Sequence, residues 1–182
     1  MDEGTEPRVV VLVGPPGAGK TTVGSTLARL MEWPFVDTDQ MVADRAGMSV
    51  SDIFLTLGEP QFRAWEQEAV SDAIGAGAPR VVAVGGGAPM ASRSASLLSE
   101  QFTVFLDVSE RVGARRVGLS GARPLLTESP RARWRELMEQ RRPVYTWVAR
   151  HVVATDGLTP RETAHRIARL LGNTAEGKGQ GR

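Results

Sequence analysis

The stretch Gly14-Pro15-Pro16-Gly17-Ala18-Gly19-Lys20-Thr21-Thr22 combines residue types and spacing that suit one task, the holding of a phosphate chain. It reads G-x-x-x-x-G-K-T, with an apolar run before it and helical periodicity after it, the context such a loop requires. Glycines at 14, 17 and 19 let consecutive backbone N–H groups over residues 17–22 (Gly17, Ala18, Gly19, Lys20, Thr21 and Thr22) converge on phosphate oxygens. The helix opening at Lys20 adds its positive N-terminal end. Lys20 would reach the β- and γ-phosphates of a nucleotide, and the Thr21 hydroxyl would hold Mg²⁺. A chance match is the plain alternative in a chain with 20 glycines, but lysine usage argues against it. Of 22 basic residues only Lys20 and Lys178 are lysines, so a chain that writes arginine almost everywhere has lysine where a compact ammonium is wanted.

Four further groups could do chemistry. Asp37 and Asp39 follow the short apolar pair Phe35-Val36, at the carboxyl end of a strand, where open α/β sheets bind ligands. Capping of the next helix by Asp39 or Thr38 is the structural alternative, and it accounts for one carboxylate better than for two. Arg63 and Glu66 lie three apart on one helical face, which by itself reads as a surface ion pair worth little. Gly85-Gly86-Gly87 closes another apolar run, and so flexible a segment suggests that something approaches its backbone closely; a plain tight turn is the alternative. The segment 118–130 has glycine hinges, Arg123 and no periodicity, and reads as a mobile lid. His151 and His165 have no partner constellation and read as structural.

The elements that must position these residues follow from periodicity. Strands are expected at 8–13, 35–36, 80–84, 102–106 and 151–154. Helices are expected at 19–31, through Met41, Val42 and Arg45, and at 49–57, 59–74, 109–117, 131–142 and 160–171, with Gly172 as the last cap. Strand and helix alternate, so the fold class is α/β: a three-layer P-loop fold with a five-stranded parallel sheet, helices on both faces and a mobile lid. One domain over 8–172 is expected, between a flexible start at 1–7 and a disordered tail at 173–182. The net charge of +1 over 182 residues gives no polyelectrolyte signature, so nucleic acid is not indicated. No apolar segment approaches the roughly 18 residues of a membrane span, and the acidic start is unlike a secretory signal. Absence of cysteine removes disulfides, thiolate zinc sites and cysteine nucleophiles, and fits a reducing compartment. A soluble cytoplasmic monomer is expected.

Over residues 8–171 the chain resembles shikimate kinase. The matching pieces are GPPGAGKTT at 14–22, Asp-Thr-Asp at 37–39, Phe-Arg at 62–63 with Glu66, Gly-Gly-Gly-Ala at 85–88, Arg-Pro-Leu-Leu at 123–126 and Arg-x-Pro-x-Tyr at 141–145. The resemblance implies the nucleoside monophosphate kinase fold, with a substrate-binding helical region at about 38–76 and a lid at about 118–130. It implies ATP- and Mg²⁺-dependent phosphorylation of the shikimate 3-hydroxyl. By resemblance, Arg63 and Arg141 hold the carboxylate of shikimate, Asp39 and Gly86 hold its hydroxyls, Gly85 and Gly87 complete the substrate-binding turn, and Phe54 and Phe62 wall the ring. Asp39 is the candidate base, Asp37 lies on the Mg²⁺ side with Thr21, Glu66 orients Arg63, and Arg123 is the lid arginine. Arg116 matches an arginine on the adenine and phosphate side. Of the adenine loop only Pro160 is carried over, since Asp156-Gly157-Leu158-Thr159 departs from the family pattern. Arg142 stands where the family commonly has a small or polar residue, and alignment on Pro143 favours Arg141. A kinase of another sugar acid such as gluconate would share the P-loop and lid but lack the other motifs. A nucleotide-dependent switch would need a guanine-reading N-K-x-D, and the chain has none.

Overall fold

Five consecutive apolar residues form the central strand β1 (Val9–Val13), and all five are buried. Such a run, apolar on both faces, belongs in the middle of a parallel sheet covered above and below. β3 (Arg80–Ala83) and β4 (Phe102–Asp107) flank it, and β2 (Phe35–Asp37) and β5 (His151–Ala154) form the edges, in the order β2-β3-β1-β4-β5 with every pair parallel. The computed structural model describes residues 9–116 and 130–176. The expected start at 1–7, nearly all of the expected lid with Arg123, and the tail beyond 176 lie outside the described residues.

The helices are α1 (Lys20–Met31), α2 (Thr38–Ala46), α3 (Val50–Thr56), α4 (Glu59–Gly75), α5 (Ser92–Ser99), α6 (Glu110–Arg116), α7 (Pro130–Val148) and α8 (Pro160–Glu176), with one 3₁₀ turn at Ala88–Met90. From β1 the chain moves outward to β2 and thereafter returns across the sheet, so right-handed crossovers put α1 on one face and α4, α5 and α7 on the other. The packing agrees: α1 lies against α8, and α5 against α4 and α7. Helices α2, α3 and α4 share a small apolar cluster of their own, Val42, Ile53, Phe62 and Ala69, which stands apart from the main core. That separate cluster makes a semi-independent wall beside the carboxyl ends of β1, β2 and β3.

Three expectations are corrected. Helix α7 runs on past Arg142 and through Pro143 to Val148. An internal proline costs on the order of 3 kcal/mol, but the turn beyond it is anchored by Tyr145 and Val148, both buried in the main core. Helix α8 runs through Gly172 to Glu176, because Gly172 has no left-handed backbone and so makes no stop. The cap of α2 is Asp37, neither Thr38 nor Asp39: its carboxylate accepts the Asp39 N–H at 3.1 Å, since the helix already begins at Thr38.

Candidate active site

The loop after β1 is built of backbone. Gly14, Gly17 and Gly19 have φ of 149°, 81° and 90°, which side chains rarely tolerate. Gly19 caps α1 with no side chain engaged, so the first-turn N–H groups stay free to receive an anion. The Lys20 ammonium folds across the loop and donates to the carbonyls of Gly14 at 2.8 Å and Pro15 at 3.1 Å. Burial pushes Lys20 down to about 8, although the charges of Asp39 and Asp37 oppose the shift. Thr21 donates its hydroxyl to Asp37 Oδ2 at 2.7 Å, so one carboxylate both caps α2 and meets the first helical turn of α1. On the other side of the loop, Ala18, Gly19, Thr22, Arg116, Thr155 and Pro160 line a cavity of about 210 Å³. Arg116 Nη1 donates to the Gly17 carbonyl at 3.4 Å.

The Gly85–Gly87 turn is crowded by side chains from three helices. A Cβ on Gly85 would lie 2.6 Å from Glu66 Oε1 and would collide with Asp39 as well. One on Gly87 would collide with the Arg63 guanidinium, and one on Gly86 would lie 3.5 Å from Arg141 Nη1 and 3.3 Å from Pro16 Cδ. The close approach expected at this turn is thus made by the protein's own charged groups. Arg63 donates to Glu66 at 2.7 Å and to Glu59 at 3.1 Å. Glu66 is 2% exposed, so the pair is no surface ion pair: it is half in the interior, where removing one partner strands the other. Burial raises the Glu66 pKa despite the arginine. Burial, and then the charge of Asp37, raises the pKa of Asp39, whose Oδ1 is buried without a hydrogen-bond partner among the described residues. Phe54 and Phe62 stack with centroids 4.6 Å apart. A cleft of about 870 Å³ opens on the Asp37 and Asp39 side, lined by these two carboxylates, Thr21, the Gln40, Ala43 and Asp44 face of α2 and the 47–50 link into α3.

A family model described as shikimate kinase matches residues 16–171 of this chain. The chain belongs to the shikimate kinase family. It is 48% identical over 163 residues to the shikimate kinase of Salinispora arenicola, covering 90% of this chain and 97% of that one. Among solved structures it is similar to the shikimate kinase from Acinetobacter baumannii in complex with shikimate, with a TM-score of 0.84 and 32% identity over 93% of this chain and 95% of that one. A gluconokinase from Sinorhizobium meliloti, at a TM-score of 0.52 and 20% identity over 92% of this chain and 95% of that one, shares the fold alone.

For a shikimate kinase family member, the structure brings together Lys20, Thr21, Asp37, Asp39, Arg63, Glu66, Arg141 and the glycine turn. Arg141 and Arg142 part company: Arg141 faces Gly86, whereas Arg142 leaves the cleft to donate to Asp107 at 2.8 Å and lies 5.7 Å over the Phe105 ring. The departing adenine loop has a local reason for its aspartate, since Asp156 accepts the Ser109 N–H at 3.1 Å at the start of α6. His151 packs on Phe102, 5.1 Å between centroids, and His165 lines a groove on α8 away from the cleft. Two residues hold the glycine turn in ways the sequence did not indicate: Thr38 was expected at most as a cap, and Tyr145 only as part of a motif. The Thr38 hydroxyl, fully buried, accepts the Gly85 N–H at 3.1 Å and fastens α2 to the glycine turn. Tyr145 donates its hydroxyl to the Gly86 carbonyl at 2.6 Å. Its spacing of four from Arg141, on one helical face, was the available signal.

Proposed function

We propose that the protein transfers the γ-phosphoryl group of ATP to the 3-hydroxyl of shikimate, giving shikimate 3-phosphate and ADP. What supports this reading is the meeting of Asp39, Arg63, Glu66 and Arg141 around one glycine turn, beside a loop shaped for phosphates. Two guanidiniums and a carboxylate around one turn match a small acid that also has hydroxyls. The acceptor oxygen forms a bond to the γ-phosphorus as the bond from that phosphorus to the β–γ bridging oxygen breaks. Asp39 takes the hydroxyl proton, and its raised pKa favours that acceptance. Lys20 turns from the loop carbonyls to the phosphate oxygens and compensates the charge that develops there.

Thr21 Oγ1 and Asp37 Oδ2 are hard oxygen donors already in contact, which fits Mg²⁺ held by few protein ligands and completed by phosphate and water. Among the described residues no group of three His, Asp or Glu side chains could bind a metal without such help. When bound, the cation would neutralise phosphate charge. Arg116 and Pro160 flank the adenine side, and Arg123 is proposed to meet the γ-phosphate. Among the described residues no helix is long and apolar enough to cross a membrane. A cytoplasmic monomer that draws on soluble ATP is the simplest working form. The test is release of ADP from ATP and Mg²⁺ in a coupled assay with either shikimate or gluconate. Turnover with shikimate and none with gluconate is expected, and the reverse would overturn the reading.

A further inference from the structure

The three peptide groups of the glycine turn are pinned by different means. The Gly85 N–H donates to Thr38 on α2, and the Gly85 carbonyl accepts the Ala88 N–H at 3.0 Å within the turn. The Gly86 carbonyl accepts the Tyr145 hydroxyl at 2.6 Å from α7. Among the described residues neither the Gly86 nor the Gly87 N–H donates a hydrogen bond, and both residues are half-exposed. The Gly86–Gly87 peptide has glycine on both sides, so no Cβ resists its rotation. In a trans peptide the N–H points opposite to the carbonyl, so whatever holds the Gly86 carbonyl toward α7 also aims the Gly87 N–H away from it. Among the described residues Tyr145 is the one donor to that carbonyl.

The phenol is well placed for such a lock. Tyr145 is fully buried, with its ring 5.3 Å from that of Phe105, and the Arg141 guanidinium lies beside its oxygen. Pro143, between the two, cannot donate to the preceding helical turn, so the end of α7 needs tertiary contacts to hold its direction. A Cβ on Gly86 would lie 3.3 Å from Pro16 Cδ and 3.5 Å from the carbonyl oxygen of Gly14, the same carbonyl that Lys20 grips, so the turn sits close to the phosphate loop.

We propose that Tyr145 is a positioning residue for acceptor recognition: its hydroxyl locks the Gly86–Gly87 peptide so that N–H groups, and not a carbonyl, face the hydroxyls of the acceptor. This rests on shikimate as the acceptor. Tyr145→Phe keeps the ring and deletes the donor. The expected result is a KM for shikimate raised about tenfold, the scale of one hydrogen bond, with the KM for ATP within about twofold of the parent. Cyclohexene-1-carboxylate has the carboxylate without the hydroxyls, and its inhibition constant should not change.

A shikimate KM within about twofold of the parent overturns the inference, and so does an equal loss for cyclohexene-1-carboxylate. Tyr145 is the single tyrosine of the chain, so growth on 3-fluorotyrosine labels this position alone and gives a second measurement that needs no variant. The ¹⁹F signal should shift more on addition of shikimate than with cyclohexene-1-carboxylate, whose carboxylate alone reaches Arg141 beside the phenol; a shikimate shift no larger than that overturns the inference even if Tyr145→Phe fails to fold. An unmodified protein inactive on shikimate would overturn the functional reading and this one with it. Activity on shikimate with an indifferent Tyr145→Phe would overturn this one alone.

Discussion

The two halves of the cleft are made in different ways. The phosphate side is one contiguous loop whose groups are backbone N–H, shaped by three glycines with positive φ and a helix end. The acceptor side is assembled from α2, α4, the turn after β3 and α7, and its groups are charged side chains drawn into the interior. Backbone groups remain when a side chain is changed, whereas a carboxylate or guanidinium is lost with its residue. The phosphate side therefore depends on few side chains, with Lys20 foremost, while the acceptor side is open to damage at every member. Burial links them, since it lowers the pKa of Lys20 and raises that of Asp39, and each feels the other's charge.

The largest effect should come from the one indispensable side chain of the phosphate loop. Lys20→Met should reduce kcat on the order of 10³-fold while the thermal transition stays near that of the parent, because the ammonium holds only loop carbonyls. Activity within tenfold of the parent would break the division just drawn.

Next come the two carboxylates, which lie on opposite sides of the boundary. Asp39→Asn keeps the shape and loses the base, so kcat should fall about 10²-fold at any Mg²⁺ concentration. Asp37→Asn should be partly relieved by raising Mg²⁺, because Asp37 meets Thr21 on the phosphate side. Like responses of both variants in a Mg²⁺ titration would erase the boundary.

A smaller effect is expected within the acceptor side. Arg63→Lys replaces a fork that bonds Glu59 and Glu66 with a point charge, and the shikimate KM should rise about tenfold, or ~1.4 kcal/mol. The KM for ATP should hold, and a parallel rise in both would mean that the two sides do not recognise their ligands separately.

The smallest effect is in pH dependence. In the free protein Lys20 loses its proton above about 8, so kcat/KM for ATP should decline through that pH, while the raised pKa of Asp39 makes kcat/KM for shikimate decline on the acid side. Stability should move the other way at high pH. Between about 8 and the ordinary 10.5 the unfolded chain keeps the lysine proton that the folded chain has released, so this group's contribution to stability rises with pH there. Parallel loss of activity and stability across that window would count against a lowered pKa at Lys20.

What could be read without the fold was what is local. The phosphate loop lies in nine consecutive residues, the strands are continuous apolar runs, and several helices start on capping residues such as Ser49, so short-range sterics and hydrogen bonding determine them. The residues around the acceptor could be named through resemblance, but their arrangement was decided by tertiary contacts. Glu66 is a buried partner and no surface charge because α4 packs against the glycine turn. Asp37 caps α2 and meets Thr21 because β2 ends one residue before that helix. Helix α7 survives Pro143 because Tyr145 and Val148 reach the core, and what it packs against decides that Arg141 faces Gly86 while Arg142 bonds Asp107. Spacing along a chain sets which face a side chain occupies; what that face meets depends on elements tens of residues away, brought together by burial.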